Sequence, residues 1–291
     1  MKIKDALQLS EKTLSELYPQ EEARQISRIL LGEVLNLNHT KLLLCDKGQL
    51  LSAHEQDIFE SALERLACHE PIQYVLGKTE FMGLEFEVEH GVLIPRPETE
   101  ELCFEVINRL KCVAKERQIK ILDLGCGSGC IAITLAKYLF PAEVYAVDIS
   151  PDALSVTKRN AEKLLVQPSF LKVVEADMSQ LDRSNELNTE TYDLIISNPP
   201  YIRRNEAILM RENVLSYEPD IALFAPENDP LYFYRKTAQF AASHLRSCGL
   251  LCYEINEALG NETLQVIEDV GLKGKVVRDL FKKDRFIYAQ K

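Results

Sequence analysis

Asp123-Leu124-Gly125-Cys126-Gly127-Ser128-Gly129-Cys130 decides the fold of this chain. An apolar run over residues 119–124 leads into it, and a helical pattern over residues 131–139 leads out. Three glycines in five residues, set between a strand and a helix, allow a tight turn and let a ligand approach the backbone. Working outward, a second apolar strand (residues 144–147) ends on Asp148. That acid falls roughly 20 residues past the loop, where a carboxylate can accept hydrogen bonds from ribose hydroxyls. A helix over 151–165 opens on a proline. Strands over 171–174, 194–196 and 250–255, helices over 232–244 and 263–270, and a closing run at 286–289 continue the alternation. Strands alternating with helices predict an α/β domain on a doubly wound, mostly parallel sheet. Ligands of such sheets bind at the carboxyl ends of the strands.

The loop is not a dinucleotide loop. That pattern is G-x-G-x-x-G, and its last glycine would fall on Cys130. Here the pattern is G-x-G-x-G. Asp123, just ahead of it, would repel a phosphate and could pair with an ammonium. The loop therefore suits a nucleoside ligand carrying a positive group.

A second motif, Asn198-Pro199-Pro200-Tyr201, follows the apolar run at 192–197. Two prolines end that strand, because neither donates to a ladder and each restricts its own φ. The result is a rigid loop carrying an amide, free carbonyls and a ring. An amide oxygen and a carbonyl can accept both hydrogens of a substrate NH2, and the ring can stack on its flat face. Asn-Pro also marks ordinary turns, so context must decide between a turn and a site.

Composition narrows the field. The chain has 291 residues, 46% of them hydrophobic, enough for two domains with full cores. It has no run of 18 apolar residues, and its first residues are polar, so no membrane association and a cytoplasmic location are expected. The formal net charge is −11, without the basic footprint of a nucleic-acid-binding protein. The most basic cluster, Lys282-Lys283 with Arg278 and Arg285, is interrupted by Asp279 and Asp284 and reads as a solvated surface. The eight cysteines lack C-x-x-C spacing and are expected to be reduced and mostly buried, without a metal.

Residues 1–75 form a separate helical domain by pattern. Ala6, Leu7, Leu14 and Leu17 have helical spacing, and Pro19 stops that segment. A second helix carries Ala23 to Leu35. Ser52 with Glu55 reads as a capping box opening a third helix. In residues 76–95, Leu84, Phe86 and Val88 alternate with Glu85, Glu87 and Glu89, as in a half-solvated hairpin linker. Ile94-Pro95-Arg96-Pro97 is stiff, since the residue before each proline is held extended. The catalytic domain is expected to occupy 96–291.

Together, the glycine loop, Asp148 and Asn198-Pro199-Pro200-Tyr201 resemble class I S-adenosylmethionine-dependent methyltransferases acting on amide or exocyclic amino nitrogens. Pro71-Ile72-Gln73-Tyr74-Val75-Leu76-Gly77, Glu80-Phe81 and Gly91-Val92-Leu93-Ile94-Pro95-Arg96-Pro97-Glu98-Thr99-Glu100 are similar to the signature of the release-factor glutamine N5-methyltransferases, the PrmC/HemK family. The resemblance covers nearly the whole chain and implies a seven-stranded methyltransferase sheet. It implies methyl transfer from S-adenosylmethionine to the glutamine of the Gly-Gly-Gln motif in class 1 peptide chain release factors, by a monomer. It also implies that Asp123, Gly125, Cys126, Gly127, Ser128, Gly129 and Asp148 hold the cofactor, with Asp177-Met178 along the adenine. By the same resemblance Asn198, Pro199, Pro200 and Tyr201 hold the substrate, with Asn198 also touching the cofactor, and the helical domain grips the protein substrate. Met178 and Met82 stand where the family often has large aromatics. Ala225-Pro226-Glu227-Asn228 replaces the glycine-rich stretch that follows Glu218-Pro219-Asp220-Ile221-Ala222-Leu223. Two rival functions are a DNA adenine methyltransferase, which needs a basic groove, and a non-catalytic cofactor-binding protein, which does not need Asn198-Pro199-Pro200-Tyr201.

Overall fold

A computed structural model describes residues 1–165 and 167–291. The chain forms two compact units, one of Met1–Lys78 with Arg211–Tyr217, the other of Thr79–Met210 with Glu218–Lys291.

The first unit is helical, with helices at Ile3–Leu14, Gln20–Val34, His39–Leu44, Ala53–Ala67 and Ile72–Leu76. Leu14, Leu30, Leu31, Phe59 and Leu66 are fully buried in its core. The first helix stops at Leu14, short of the Leu17 suggested by spacing, and Pro19 instead precedes the second helix at its N-cap. The capping box is present: Glu55 N donates to Ser52 Oγ at 3.2 Å, and Ser52 N to Glu55 Oε2 at 2.7 Å. The short helix His39–Leu44 has no sequence expectation, because six residues carry too little periodicity; Asn38 caps it, accepting from Lys41 N. Arg211–Tyr217 belongs to this unit through side-chain bonds. Arg211 pairs with Glu22 at 2.6 Å, and the Tyr217 hydroxyl donates to the Cys68 carbonyl at 2.6 Å.

After the helices the chain forms a hairpin, β1 (Lys78–Phe81) and β2 (Leu84–Glu87), all of it but Lys78 in the second unit. Its two-residue turn, Met82-Gly83, has φ of +52° and +72°, the left-handed pair that suits tight hairpins. Leu84 and Phe86 point inward and Glu85 outward, as the alternation predicts.

Seven strands follow: β3 (Lys120–Leu124), β4 (Glu143–Asp148), β5 (Leu171–Glu175), β6 (Tyr192–Ser197), β7 (Leu245–Glu254), β8 (Lys273–Arg278) and β9 (Asp284–Gln290). Their order is β5-β4-β3-β6-β7-β9-β8; the first five are parallel and β9 runs antiparallel to both neighbours. β8 escapes sequence reading because it is an edge strand rich in Lys and Arg, a common guard against edge pairing. Alternate residues of each strand enter opposite core layers. Ile121, Val144, Leu194 and Ile196 pack with the helices Pro97–Glu116 and Cys130–Tyr138. Leu122, Tyr145, Val147 and Ile195 pack with Tyr232–His244 and Gly260–Glu268. Each fully buried Leu or Ile contributes about 1.5–3 kcal/mol, which is why these strands tolerate no polar face.

Strand order reverses between β3 and β6, and this opens a crevice at their carboxyl ends. The cysteines divide more evenly than expected: Cys103, Cys126 and Cys252 are buried, while Cys68, Cys112 and Cys248 are exposed. Among the described residues no helix is long and apolar enough to cross a membrane.

Candidate active site

The glycine loop runs from β3 into the helix Cys130–Tyr138 with φ of +76° at Gly125 and +79° at Gly129. Gly129 also lacks room for a side chain, whereas a Cβ on Gly125 meets only the movable end of Met178. A Cβ on Gly125 would lie 2.8 Å from Met178 Cε, and one on Gly129 2.9 Å from both Ile133 and Thr157. The amides of Gly125 and Cys126 donate to the Val147 carbonyl at 2.8 and 2.9 Å. Gly127 N donates to Asp148 Oδ2 at 2.9 Å, and Ser150 N to Oδ1 at 3.0 Å. The far side of the loop is tied to the helix Pro151–Leu164. Thr157 Oγ1 donates to the Gly127 carbonyl and Asn160 Nδ2 to the Ser128 carbonyl, both at 2.9 Å. Thr157 and Asn160 were missed by sequence reading, since helical polar residues of this kind usually face water.

One cavity of about 300 Å³ lies against this loop. Residues 125–128, Asp148, Asp177, Met178, Asn198 and Pro200 line it; Asp123, Gly129, Pro199 and Tyr201 do not. Burial pushes the Asp148 carboxyl above its ordinary range, although the amides of Ser150 and Gly127 pull it down. Burial also raises Asp177, but hydrogen bonds from Ser179 and Gln180 outweigh it and hold that carboxyl below the usual range. Val92 and Thr99, from the stretch Gly91–Glu100, also line the cavity, as does Ile149, which carries no motif of its own. For Ile149, the residue after the strand-end acid, adjacency to Asp148 was the available signal.

Asp123, expected to face the ammonium of a ligand, is instead fully buried behind the loop. Its Oδ2 accepts from Ala132 N at 3.0 Å, which staples the start of the helix Cys130–Tyr138 to β3, while Oδ1 has no partner among the described residues. Burial pushes its carboxyl up to about 8; the Ala132 bond opposes this and nearby Asp148 adds to it.

The Asn198 side of the cavity is held by side chains. Ser197 Oγ donates to the Leu124 carbonyl at 2.6 Å, which joins the ends of β6 and β3. Asn198 Nδ2 donates to Thr99 Oγ1 at 3.3 Å, and Thr99 Oγ1 to Glu254 Oε2 at 2.7 Å. The Tyr201 hydroxyl donates to Glu254 Oε1 at 2.9 Å, and its ring packs on the core layer that holds Tyr253. The stacking role expected for Tyr201 therefore has no support in the cavity lining. Glu254 ends β7 and is 1% exposed. Burial raises its carboxyl, and the hydroxyls of Thr99 and Tyr201 together with Arg285 pull it down. Arg285, read from sequence as part of a solvated cluster, keeps only 14% of its side chain exposed and pairs with Asp279.

Two sequence motifs meet beside the cavity. Glu218 accepts from Arg96 Nη2 at 2.6 Å and from Ile94 N at 3.2 Å, and so pins the stiff Ile94–Pro97 segment that leads to Thr99. Asp148 and Asn198 end strands two apart in the sheet, roughly 10 Å from each other. This arrangement can hold a nucleoside over the loop with its outer end toward Asn198.

Comparison with known proteins gives the same picture. A family model described as methyltransferase small domain matches residues 109–215, and one described as PrmC N-terminal domain matches residues 5–77. The release factor glutamine methyltransferase of Bacteroides thetaiotaomicron is 38% identical over 283 residues, covering 96% of this chain and 97% of its own. That of Flavobacterium psychrophilum is 39% identical, covering 95% and 94%. That of Clostridium acetobutylicum is 36% identical, covering 99% and 98%. Among solved structures, a methyltransferase from Pyrococcus furiosus aligns with a TM-score of 0.50 at 17% identity, over 72% of this chain and 89% of that one. The 16S rRNA N2 G1207 methyltransferase of T. thermophilus, in complex with AdoMet and guanosine, aligns with a TM-score of 0.50 at 19% identity, over 74% of this chain and 49% of that one. These two likenesses concern the fold alone. Matched over nearly its whole length at 36–39% identity, the chain belongs to the release factor glutamine methyltransferase family.

Proposed function

We propose that the protein transfers a methyl group from S-adenosylmethionine to the side-chain amide nitrogen (N5) of the glutamine in the Gly-Gly-Gln motif of class 1 peptide chain release factors. The observation that carries this reading is that Asn198 lines the same cavity as the glycine loop and Asp148.

The residues present fit the cofactor. Each Asp148 oxygen already accepts one backbone N–H and has a lone pair left for a ribose hydroxyl. Ile149 and Met178 offer apolar surface to adenine, and the carboxylates of Asp148 and Asp177 suit a cationic ligand. When bound, S-adenosylmethionine supplies a methyl carbon already activated by its sulfonium. The chain has to supply placement, because an amide nitrogen is a weak nucleophile whose lone pair is delocalised. Asn198 Oδ1 accepts one hydrogen of the glutamine NH2, and the other goes to the carbonyl of Pro199, the residue between the lining residues Asn198 and Pro200. This directs the nitrogen lone pair at the methyl carbon with reacting atoms about 3 Å apart. As the nitrogen forms its new bond, positive charge grows on it, so both acceptors bind more tightly in the transition state. The nitrogen must also shed one of its two protons, since the methylated amide is neutral. The same two acceptors repel a glutamate carboxylate, and this selects glutamine. Tyr201 holds the loop through Glu254.

The test is incubation with radiolabelled cofactor and three acceptors: release factor, its Gly-Gly-Gln glutamine variant, and duplex DNA. Label on the first alone is expected; label on DNA, or none on release factor, overturns the reading. The helical unit, in this reading, recognises the protein substrate beyond its glutamine. A short Gly-Gly-Gln peptide is then expected to react with kcat/KM at least about 10²-fold below the whole release factor, as for loss of remote binding energy. Equal efficiency on peptide and protein would remove that role.

A further inference from the structure

The buried carboxylate of Glu254 takes no part in the transfer described above, yet both of its oxygens are occupied by hydroxyls that flank the Asn198 loop. Glu254 ends β7 directly beside the end of β6, where Ser197 pairs with Tyr253. Thr99 Oγ1 lies 2.7 Å from Oε2 and the Tyr201 hydroxyl 2.9 Å from Oε1. A carboxylate only accepts, so each hydroxyl commits its single proton to Glu254. Thr99 Oγ1 then offers only lone pairs to its other neighbour. That neighbour is the Asn198 amide, 3.3 Å away, which must turn its NH2 toward Thr99. The carbonyl oxygen is left as the free end of the amide.

We propose that Glu254, acting through Thr99, sets the orientation of the Asn198 amide so that Oδ1 meets the substrate NH2, and through Tyr201 secures the far end of the same loop. The inference rests on the reading of Asn198 as acceptor for the glutamine amide. An inverted amide would bring NH2 against NH2, two sets of donors with no acceptor between them. With no carboxylate behind it, the Thr99 hydroxyl can donate to Asn198 as readily as accept, and the inverted state becomes available. Glu254 and Thr99 are positioning residues: they act on the acceptor group and leave the methyl donor untouched.

The experiment uses the full chain, with release factor as methyl acceptor. Steady-state kinetics, cofactor affinity by calorimetry and thermal melting are measured for the parent and for E254Q, T99V and T99S. E254Q has nearly the parent's shape but can donate to Thr99, and T99V removes the relay altogether. Each is expected to lose at least about 10²-fold in kcat, the scale of one misplaced transition-state acceptor. KM and cofactor affinity are expected to move little. T99S keeps the hydroxyl and is expected to recover most of the kcat that T99V loses. If E254Q does not fold, the T99V and T99S pair decides alone. Parental kcat in folded T99V, or a T99S as slow as T99V, overturns the proposal, as does a lowered melting temperature with unchanged kcat. If the parent itself transfers no methyl to release factor, the underlying reading of Asn198 falls first, and that result is distinct from all of these.

Discussion

The two sides of the cavity are built by different means. The glycine-loop side is held largely by backbone: amide donors, left-handed φ values, and Gly129 packed where a Cβ has no room. Its main partners, Gly125 to Gly129 and Val147 to Ser150, lie within about one βαβ unit. The Asn198 side is held by side chains that come together from residues 99, 198, 201 and 254. A backbone cradle resists polar substitution but not an added Cβ. A side-chain relay tolerates bulk in the loops between its members but not the loss of one polar atom.

Substitution on each side separates the two constructions. Asn198→Ala is expected to lower kcat by about 10²–10³-fold, the scale of one lost transition-state acceptor, with cofactor affinity nearly intact. Asp148→Ala is expected to weaken cofactor affinity by about 10–100-fold, as for loss of a charged hydrogen-bond acceptor. Calorimetry and steady-state kinetics on the two variants check this; a kcat for Asn198→Ala within tenfold of the parent, or unchanged affinity for Asp148→Ala, collapses the comparison.

Gly129→Val probes the cradle itself. A branched side chain at φ +79°, with its Cβ 2.9 Å from Ile133 and Thr157, is expected to destabilise the fold by about 2–4 kcal/mol. Chemical denaturation measures it, and a change below about 0.5 kcal/mol would mean that the loop is softer than its packing indicates.

The remaining expected effect, a pH dependence, is at Asp123. Its carboxyl titrates near pH 8 in the fold against 3.8 as its ordinary value. Between those limits the folded chain keeps a proton that the unfolded chain has shed. Its stabilising share is therefore complete below about pH 4 and is lost as pH rises toward 8. Asp123→Asn removes that titration and is expected to flatten the fall in stability over this window by at least about 1 kcal/mol. Melting curves of the ligand-free protein at several pH values decide it; identical slopes in parent and variant would show that Asp123 is ionised in the fold.

Periodic elements were readable where each reports its own burial. The helix Tyr232–His244 falls on the residues its pattern indicates, and β3 through β6 lie on the apolar runs, whereas β7 begins at Leu245, ahead of the apolar run at 250–255. Elements whose pattern is not set by burial on both sides were not readable: β8 at the sheet edge and the six-residue helix His39–Leu44. The position of Asp123 was misread because a strand residue before a loop can turn into the core or toward the ligand with the same neighbours in sequence. Its buried bond to Ala132 N shows which way it turned.

By itself, then, the sequence determined the α/β alternation, the glycine loop with its spaced acid, and the Asn198-Pro199-Pro200-Tyr201 motif at a strand end. Each depends on backbone conformation over a few residues. Only the tertiary structure decided that Asp123 supports the loop from behind. Only it decided that Glu254 and Thr99 stand behind Asn198, and that Glu218 pins the segment leading to Thr99. The Asp123–Ala132 bond spans 9 positions, but the contacts of Thr99 and Glu218 join residues 99 to 155 positions apart, and strand order rather than local pattern brings them together.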